Sequence, residues 1–218
     1  MIKLEKTEVF GWESAIRGMR NPMNSWSKSD SCYIAQTVRE GKTVEPIYSI
    51  GQNDLRLMKQ LRKAGSDHAK YLRMINVTVD ITAPTFWWAE FDTYKVGTVR
   101  NSCSKMHKIH VSEFTRENFT HEGCEEVGEL ALGTLDYIVE RCEKLRCLFN
   151  ETKEKKYWRA LIELLPEGYN MRATVQLNYA VLNNMYPSRK PHKLDEWHVF
   201  CDWIETLPYA KELITGEE

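Results

Sequence analysis

Residues Asp80–His107 read DITAPTFWWAEFDTYKVGTVRNSCSKMH, and this stretch decides the fold. It begins at the end of an alternating apolar strand and turns at Ala83-Pro84 into an aromatic segment. Pro suits the first turn of a helix, so we predict a short helix from Pro84 that ends before Gly97. A dense polar tract follows the aromatic residues: Glu90, Asp92, Tyr94, Lys95, Thr98, Arg100, Asn101, Ser102, Cys103, Ser104, Lys105 and His107. Two interpretations are open: a ligand-facing segment, or an amphipathic helix followed by a solvated loop.

The composition is that of a globular protein with a real core. The chain has 218 residues, 42% of them hydrophobic and 28% charged, which predicts one domain, or one domain with a helical extension. A formal net charge of −1 gives no electrostatic basis for binding duplex nucleic acid or an anionic membrane. The N-terminus lacks a signal-peptide pattern, and no apolar stretch approaches the roughly 18 residues that span a bilayer. These features predict a soluble, cytoplasmic protein.

Metal and nucleophile motifs are weak. The six cysteines form no C-x-x-C pair, so we interpret them as reduced thiols and predict no zinc ribbon and no bound metal. His192, Asp195, Glu196 and His198 lie close together, but no further ligand is evident and a solvated helix start explains them. Cys103 lies near several cations that would lower a thiol pKa, yet no His/Asn partner can be assigned to it. Neither G-x-G-x-x-G nor a Walker A sequence is present.

Hydrophobic periodicity predicts strands first and helices afterwards. The expected strands are Ile2–Phe10 and Met74–Ile81, and Asn21–Ser31 is expected to be a loop, either a lid over a ligand or a disordered insertion. The expected helices are Glu13–Met19, Asp54–Ala64 with Asn53 as its cap, a short one capped by Asp67, Gly128–Phe149, Lys153–Leu165, Thr174–Met185 and one from about Leu194 to Glu205. This order favours an α+β fold.

The most informative polar set lies in the predicted helix Thr174–Met185 and just beyond it. Asn178 and Asn184 are followed by Pro187 and Arg189. An Asn amide offers a donor and an acceptor together, which suits the edge of a flavin or a pyrimidine. Arg offers a planar fork for a carbonyl, a carboxylate or a phosphate. The same Asn residues are also explained by caps or local hydrogen bonds.

The pattern Leu165-Pro166, Arg172, Asn178, Asn184 and Arg189 resembles that of the flavin-dependent thymidylate synthases (ThyX). Upstream, Gly65-Ser-Asp-His68 resembles the G-H element of that family. Ala83-Pro84 and the aromatic segment fall where the family enters its signature, R-H-R-x-x-S-x-N-E-x-S-x-R-Y. The resemblance covers roughly Tyr48 to Glu205.

The signature itself is degenerate here. Its R-H-R falls on Thr93-Tyr94-Lys95, and its later positions fall on Thr98, Arg100-Asn101, Cys103 and Lys105-Met106. The first Arg, the His and the Glu of the signature are replaced. The family Arg just before L-P is replaced by Ile162, with Arg159 one helical turn away.

The resemblance implies a single ThyX-like domain over residues 1–218, with a small antiparallel sheet, packed helices and a helical C-terminal half. It further implies a homotetramer that binds FAD, uses NADPH and methylenetetrahydrofolate as co-substrates, and transfers a one-carbon unit to C5 of a pyrimidine deoxynucleotide, dUMP in the family. Carried over position by position, it implies three sets of residues. Arg189 and Lys95 would be catalytic; His68, Thr93, Tyr94, Lys95, Asn101, Asn178 and Asn184 would bind the cofactor; and Glu90, Cys103, Lys105, Arg172 and Arg189 would bind the nucleotide.

Three functional hypotheses follow. The first is a ThyX-like enzyme that methylates dUMP, or that hydroxymethylates another pyrimidine nucleotide. The second is a ThyX-like protein that has lost catalysis and binds a nucleotide or a partner protein. The third is an unrelated helical interaction domain that carries the C-terminal pattern by chance.

Overall fold

The structure is a computed structural model that describes residues 1–34 and 47–216. Its strands are β1 (Lys3–Phe10), β2 (Cys32–Ile34), β3 (Ile47–Ser49), β4 (Asn76–Pro84), β5 (Val99–Ser102) and β6 (Asn170–Asn178). Its α-helices are α1 (Trp12–Arg20), α2 (Gln52–Lys63), α3 (Thr85–Phe91), α4 (Lys105–Lys108), α5 (Glu122–Val127), α6 (Glu129–Thr152), α7 (Lys155–Leu164), α8 (Tyr179–Arg189) and α9 (Asp195–Glu205). Single 3₁₀ turns or short 3₁₀ helices occupy Asn21–Met23, Trp26–Lys28, Ala69–Met74 and Arg116–Asn118, and a π-helical turn covers Lys211–Thr215.

The strands form a small antiparallel sheet in the order β1-β4-β6-β5, and β2 and β3 pair separately as an antiparallel hairpin. The combination of this sheet with packed helices confirms the predicted α+β class. The chain divides into two compact units, each built from three segments. The first contains Met1–Lys6, Val79–Lys95 and Val99–Val175; the second contains Thr7–Thr78, Val96–Thr98 and Gln176–Glu218.

In the first unit, the aromatic segment of α3 is core. Trp87 and Phe91 are fully buried and stack with ring centroids 5.0 Å apart. The indole N–H of Trp88 donates to the carbonyl of Met171 at 3.1 Å, so this buried polar atom is paired. The helix ends at Phe91, earlier than predicted, and Pro84 is the last residue of β4 and the N-cap of α3. A second cluster joins α6 and α7 to the preceding loop through Ile109, Phe114, Phe119, Leu135, Cys142 and Leu161.

The second unit is packed around α8. Tyr179, Leu182 and Met185 of this helix are fully buried. It contacts the 3₁₀ helix Ala69–Met74, the helix α9 and the π-helical turn. Trp12 of α1 packs edge-on against Tyr179, with centroids 5.3 Å apart. These contacts fix the start of α8, where the candidate site lies.

The prediction of a helix over Thr174–Met185 was wrong for its first five residues, Thr174–Asn178. Residues up to Asn178 belong to β6, where Met171, Ala173, Val175 and Leu177 are buried and the residues between them are exposed. This period-2 pattern is that of a strand with one buried face. The C-terminal half is therefore helical except for β6, and Asn178 lies at the junction of strand and helix.

Two predicted caps were also wrong. The helix α2 begins at Gln52 rather than Asp54, and its first-turn amides of Asn53 and Asp54 donate to the carboxylate of Asp30, at 2.9 and 3.1 Å. The cap thus comes from a distant loop, and a local pattern cannot reveal it. The residue at the N-cap of the 3₁₀ helix Ala69–Met74 is His68, not Asp67.

The loop Asn21–Ser31 is held by a buried ion pair between Arg20 and Asp54. The Nε atom of Arg20 lies 2.6 Å from Oδ1 of Asp54, and its other nitrogens donate to the carbonyls of Ser25 and Lys28. The second oxygen of Asp54 accepts from the hydroxyls of Ser29 and Ser31. The disordered alternative was therefore wrong for this loop.

The other helical and strand predictions are confirmed within a few residues. The long helix α6 covers the predicted Gly128–Phe149, and α1, α7, α9, β1 and β4 lie where periodicity placed them. All six cysteines are free in the structure. Among residues 1–34 and 47–216, no helix is long and apolar enough to cross a membrane.

Candidate functional site

A cavity of about 290 Å³ lies in the second unit, between the 3₁₀ helix Ala69–Met74, the segment Val96–Gly97 and the start of α8. Small and amide side chains predominate in its lining. The lining residues are Ser66, Ala69, Leu72, Arg73, Val96, Gly97, Asn178, Ala180, Val181, Asn183 and Asn184. The cavity therefore contains both of the Asn residues that the sequence singled out.

Asn178 contributes to the fold and to the cavity through different atoms. As the N-cap of α8, its Oδ1 accepts from the backbone N–H of Val181 at 3.1 Å. With the oxygen committed to the cap, the carboxamide presents its Nδ2 donors on the other side. That nitrogen has no hydrogen-bond partner within the part of the chain that the structure describes.

Asn184 lies six residues further along the same helix and is exposed. Its neighbour Asn183 also lines the cavity, but the Oδ1 of Asn183 accepts from Nε of Arg62 at 3.0 Å. Arg62 in turn donates to the carbonyl of Ile214 at 2.6 Å. Asn183 is thus held in place, and Asn184 is the amide of this pair that is available to a ligand.

Gly97 brings the backbone close to Asn178. Its φ is +78°, and a Cβ at this position would lie 3.0 Å from Nδ2 of Asn178 and 3.1 Å from Cγ2 of Val181. Only Gly adopts this conformation without strain, and only Gly permits this approach. The hydroxyl oxygen of the next residue, Thr98, is buried without a hydrogen-bond partner in the described structure. At this point of the lining the Gly97 backbone packs directly against Asn178 and Val181.

Two further predicted residues belong to the second unit but do not line the cavity. His68 is exposed, and its backbone N–H donates to Gly65, while its neighbours Ser66 and Ala69 line the cavity. Arg189 is the last residue of α8, and its guanidinium carbon lies 4.2 Å from the centroid of the buried Trp197 ring. A guanidinium stacked by its face donates through its edge, so this contact orients the fork of Arg189.

Arg172, a predicted nucleotide ligand, lies in the first unit on the exposed face of β6. Its Nη2 donates to Asp80 at 2.9 Å, and its Nη1 lies 3.4 Å from Glu5. Hydrogen bonds from Thr174 and Arg172 hold the pKa of Asp80 below its ordinary value. Arg172 thus joins three strands of the sheet.

The remaining predicted residues follow α3 in the first unit. Glu90 is the penultimate residue of α3, and its carbonyl accepts from the hydroxyl of Thr93 at 2.7 Å. Tyr94 is half-buried, and Lys95 and Asn101 are exposed. The backbone N–H of Cys103 donates to the carbonyl of Arg172 at 3.0 Å, which brings these two predicted nucleotide ligands together. Lys105 is the first residue of α4.

The histidine side chains at the start of α9 make polar contacts within the segment 192–198. The Nε2 atom of His198 lies 2.7 Å from the carbonyl of His192, and its Nδ1 lies 3.5 Å from Asp195. The backbone N–H of Leu194 donates to Nδ1 of His192. Within residues 1–34 and 47–216, no group of three His, Cys, Asp or Glu side chains could hold a metal ion.

Of the eleven lining residues only Asn178 and Asn184 were predicted as site residues, and those missed include Ser66, Arg73, Gly97 and Asn183. Gly97 lies inside the polar tract after α3, and its positive φ is visible only in the structure. Arg73 lies between two apolar residues and carries no motif. Asn183 and Arg73 could be recognised only because both line one cavity. That cavity is formed by segments that are far apart in sequence.

The fold and the cavity define an α+β protein with an amide-lined site at a strand-to-helix junction. No protein-family model matches the chain, and no curated protein matches it. The solved structures that are similar to it include two of thymidylate synthase X (ThyX) from Helicobacter pylori with FAD and dUMP. One has a TM-score of 0.72 at 17% identity and covers 99% of this chain and 98% of that chain. The other has a TM-score of 0.68 at 16% identity, over 98% of both chains. The chain therefore has a ThyX-like fold over its whole length.

Proposed function

We propose that this chain is a divergent ThyX-like flavoprotein that transfers a one-carbon unit to C5 of a pyrimidine deoxynucleotide, with dUMP as the first candidate. In this proposal residues 1–218 work as a single domain that assembles as a homotetramer. The observation that carries the proposal is the cavity around Asn178, Gly97 and Asn184, in a fold whose solved neighbours were crystallised with FAD and dUMP.

The residues of the cavity fit part of a flavin dinucleotide. Nδ2 of Asn178 is an available donor, and Asn184 supplies a second carboxamide. Gly97 lets its backbone pack directly against the Asn178 carboxamide and Val181, an approach that a Cβ on Gly97 would obstruct.

When bound, FAD would supply a hydride equivalent that comes from NADPH. In the proposed reaction the one-carbon unit of methylenetetrahydrofolate would replace the hydrogen at C5 of the pyrimidine; that hydrogen would leave as a proton, tetrahydrofolate would be released, and the hydride equivalent would convert the unit to a methyl group. The protein's part is to bind, orient and polarise. Arg189, oriented by Trp197, is proposed to donate to the pyrimidine and to stabilise negative charge that develops on the ring. Lys95 is proposed to add positive charge near the flavin, and His68, Thr93, Tyr94 and Asn101 to complete the cofactor contacts.

Nucleotide contacts are proposed for Glu90, Cys103, Lys105 and Arg172. Of these, Cys103 and Arg172 adjoin one another through a backbone hydrogen bond. Arg172 already pairs with Asp80 and Glu5, so its use for a phosphate would require exchange of these partners. This pairing counts against Arg172 as a phosphate ligand in either candidate function. The second candidate, nucleotide binding without turnover, is favoured instead by the replaced signature residues at Thr93 and Tyr94.

A turnover assay separates the candidates. The full chain with FAD, NADPH and methylenetetrahydrofolate is incubated with dUMP or dCMP, and the nucleotide products are separated by chromatography. Formation of dTMP supports dUMP methylation, and a hydroxymethylated product supports the related C5 transfer. Arg189→Ala is expected to lower kcat by roughly 100-fold or more, as loss of a transition-state donor does. If the protein binds flavin and nucleotide but forms no product, the enzyme hypothesis is rejected in favour of a nucleotide-binding protein.

A further inference from the structure

Arg73 is the only charged side chain among the residues that line the amide-rich cavity, all of which the structure describes. No carboxylate faces it there. Arg73 also makes no ion pair or hydrogen bond with any residue in 1–34 or 47–216. Arginine in proteins is always protonated, so an exposed residue of the cavity lining carries a positive charge that no described residue neutralises.

The backbone that carries Arg73 is rigid. Arg73 is the fifth residue of the 3₁₀ helix Ala69–Met74, whose Tyr71 and Leu72 are buried. The hydroxyl of Tyr71 donates to the carbonyl of Met58 at 2.7 Å, which ties this helix to α2. These contacts hold the backbone of Arg73 at the cavity, and its side chain is exposed.

The start of α8 also favours the binding of an anion. Ala180 and Val181, in the first turn of this 11-residue helix, line the same cavity as Arg73. The N-terminus of a helix carries a partial positive charge and attracts anions. Together with Nδ2 of Asn178, the cavity offers a cation, a helix end and an amide donor without a competing acidic group.

We propose that Arg73 binds a phosphate group of the flavin dinucleotide and selects FAD over flavins that lack a phosphate. A phosphate accepts two parallel hydrogen bonds from a guanidinium, and this bidentate geometry is stronger than a single neutral hydrogen bond. The inference rests on the proposed flavin function. It gives this chain a phosphate contact outside the tract that follows α3.

The test compares wild type with Arg73→Gln and Arg73→Lys, and uses Lys70→Gln as the matched control. Lys70 is an exposed cation on the same 3₁₀ helix that does not line the cavity. Affinities for FAD, riboflavin, ADP and dUMP are measured by calorimetry on the full chain, at low and at high salt. Circular dichroism and the melting temperature of each variant check its fold.

We expect Arg73→Gln to weaken FAD and ADP by about 10- to 100-fold, as loss of a charged hydrogen bond does, and to leave riboflavin unchanged. Arg73→Lys should restore part of the affinity, since it keeps the charge without the fork. Lys70→Gln should behave as wild type. The salt dependence of FAD binding should weaken in Arg73→Gln, because an exposed phosphate contact is screened by salt.

Four outcomes would overturn the inference. Equal losses for FAD and riboflavin would make Arg73 a structural residue, and unchanged FAD affinity would make it a solvated cation. A loss confined to dUMP would assign it to the nucleotide phosphate instead. If wild type binds none of the four compounds, the inference and the proposed function both fail. If wild type binds ADP through Arg73 but no flavin, the proposed function fails and the phosphate contact stands.

Discussion

The addition of one carbon atom, the Cβ of Gly97→Ala, tests whether Gly97 shapes the candidate site. An added Cβ would lie 3.0 Å from Nδ2 of Asn178, and its φ of +78° is unfavourable for any other residue. We expect Gly97→Ala to displace the Asn178 carboxamide and to weaken FAD binding by roughly 10-fold, as overpacking does. The measurement is FAD affinity by quenching of flavin fluorescence.

Gly65→Ala is the matched control for Gly97→Ala. Gly65 has a φ of +100°, but an added Cβ there would meet nothing within 4 Å. This variant should lose about 1 kcal/mol of stability through backbone strain and keep its affinity for FAD. Similar FAD affinities for the two variants would show that Gly97 does not shape a flavin site.

Asp54 gives the loop Asn21–Ser31 a pH dependence. Burial by itself would raise the pKa of Asp54, but hydrogen bonds from Ser31, Ser29 and Arg20 outweigh it and hold the pKa below 3.8. A carboxyl whose pKa is lower in the folded state stabilises the fold above its ordinary pKa, and this stabilisation is lost as the pH falls through the folded pKa. The contribution of Asp54 should therefore be complete near neutral pH and disappear only below pH 3.8.

Asp54→Asn isolates this contribution. Near neutral pH we expect a loss of about 3 kcal/mol in the free energy of unfolding, because a buried charge of Arg20 is left without its partner. The difference from wild type should shrink at acid pH, where Asp54 of wild type is itself protonated. Urea unfolding at a series of pH values measures it, and a difference that stays constant down to the acid limit would contradict the account.

At the scale of elements, the junction of β6 and α8 depends on Asn178 for two separable purposes. Its Oδ1 caps the helix, and its Nδ2 faces Gly97. Asn178→Ala removes both and should cost about 1 kcal/mol of stability together with FAD affinity. Asn178→Ser keeps a capping oxygen but has no amide, so its stability should stay near wild type while its FAD affinity falls.

The comparison needs thermal unfolding and FAD titration of both variants. If Asn178→Ser binds FAD as wild type does, the cap alone explains this residue. If both variants lose equal stability, the hydroxyl has not replaced the capping oxygen, and the comparison with Asn178→Thr decides the role of the amide.

Helices and strands could be predicted where a single apolar periodicity continued over many residues. The helix α6 is 24 residues long and was found because its apolar residues recur at helical spacing from Leu132 to Leu145. The strand β6 was missed because Val175 and Leu177 stand directly before the helical set Val181, Leu182 and Met185, and the two patterns merge in a short window. The cap of α2 was missed because Asp30 comes from a loop more than 20 residues upstream.

At the scale of the whole molecule, the candidate site is assembled from three segments that lie far apart in sequence. Asn178 and Asn184 were singled out because a known pattern carries them, whereas Gly97 and Arg73 enter only through the folded arrangement. Local sequence propensity contains no information on contacts between residues that are distant in sequence. The same limit explains why the pairing of Arg172 with Asp80 and Glu5 could not be foreseen, since it joins residues of three strands.

At this scale we predict that the full chain assembles as a homotetramer. A homotetramer should give a mass in light scattering of four times the 25.6 kDa chain. If FAD binds to the folded assembly, its addition should raise the melting temperature in a concentration-dependent way, as linkage requires. A monomer of the single-chain mass that FAD does not stabilise would contradict this expectation.

The central claim is that this ThyX-like fold binds a flavin, and an absorbance spectrum of the freshly purified full chain tests it most directly. The spectrum is recorded before and after addition of FAD and again after a desalting column, for wild type and for Asn184→Ala. The account predicts flavin bands that stay with wild type through the column and that are weakened or lost in the variant. Wild-type protein that leaves the column colourless after incubation with ample FAD would contradict the claim.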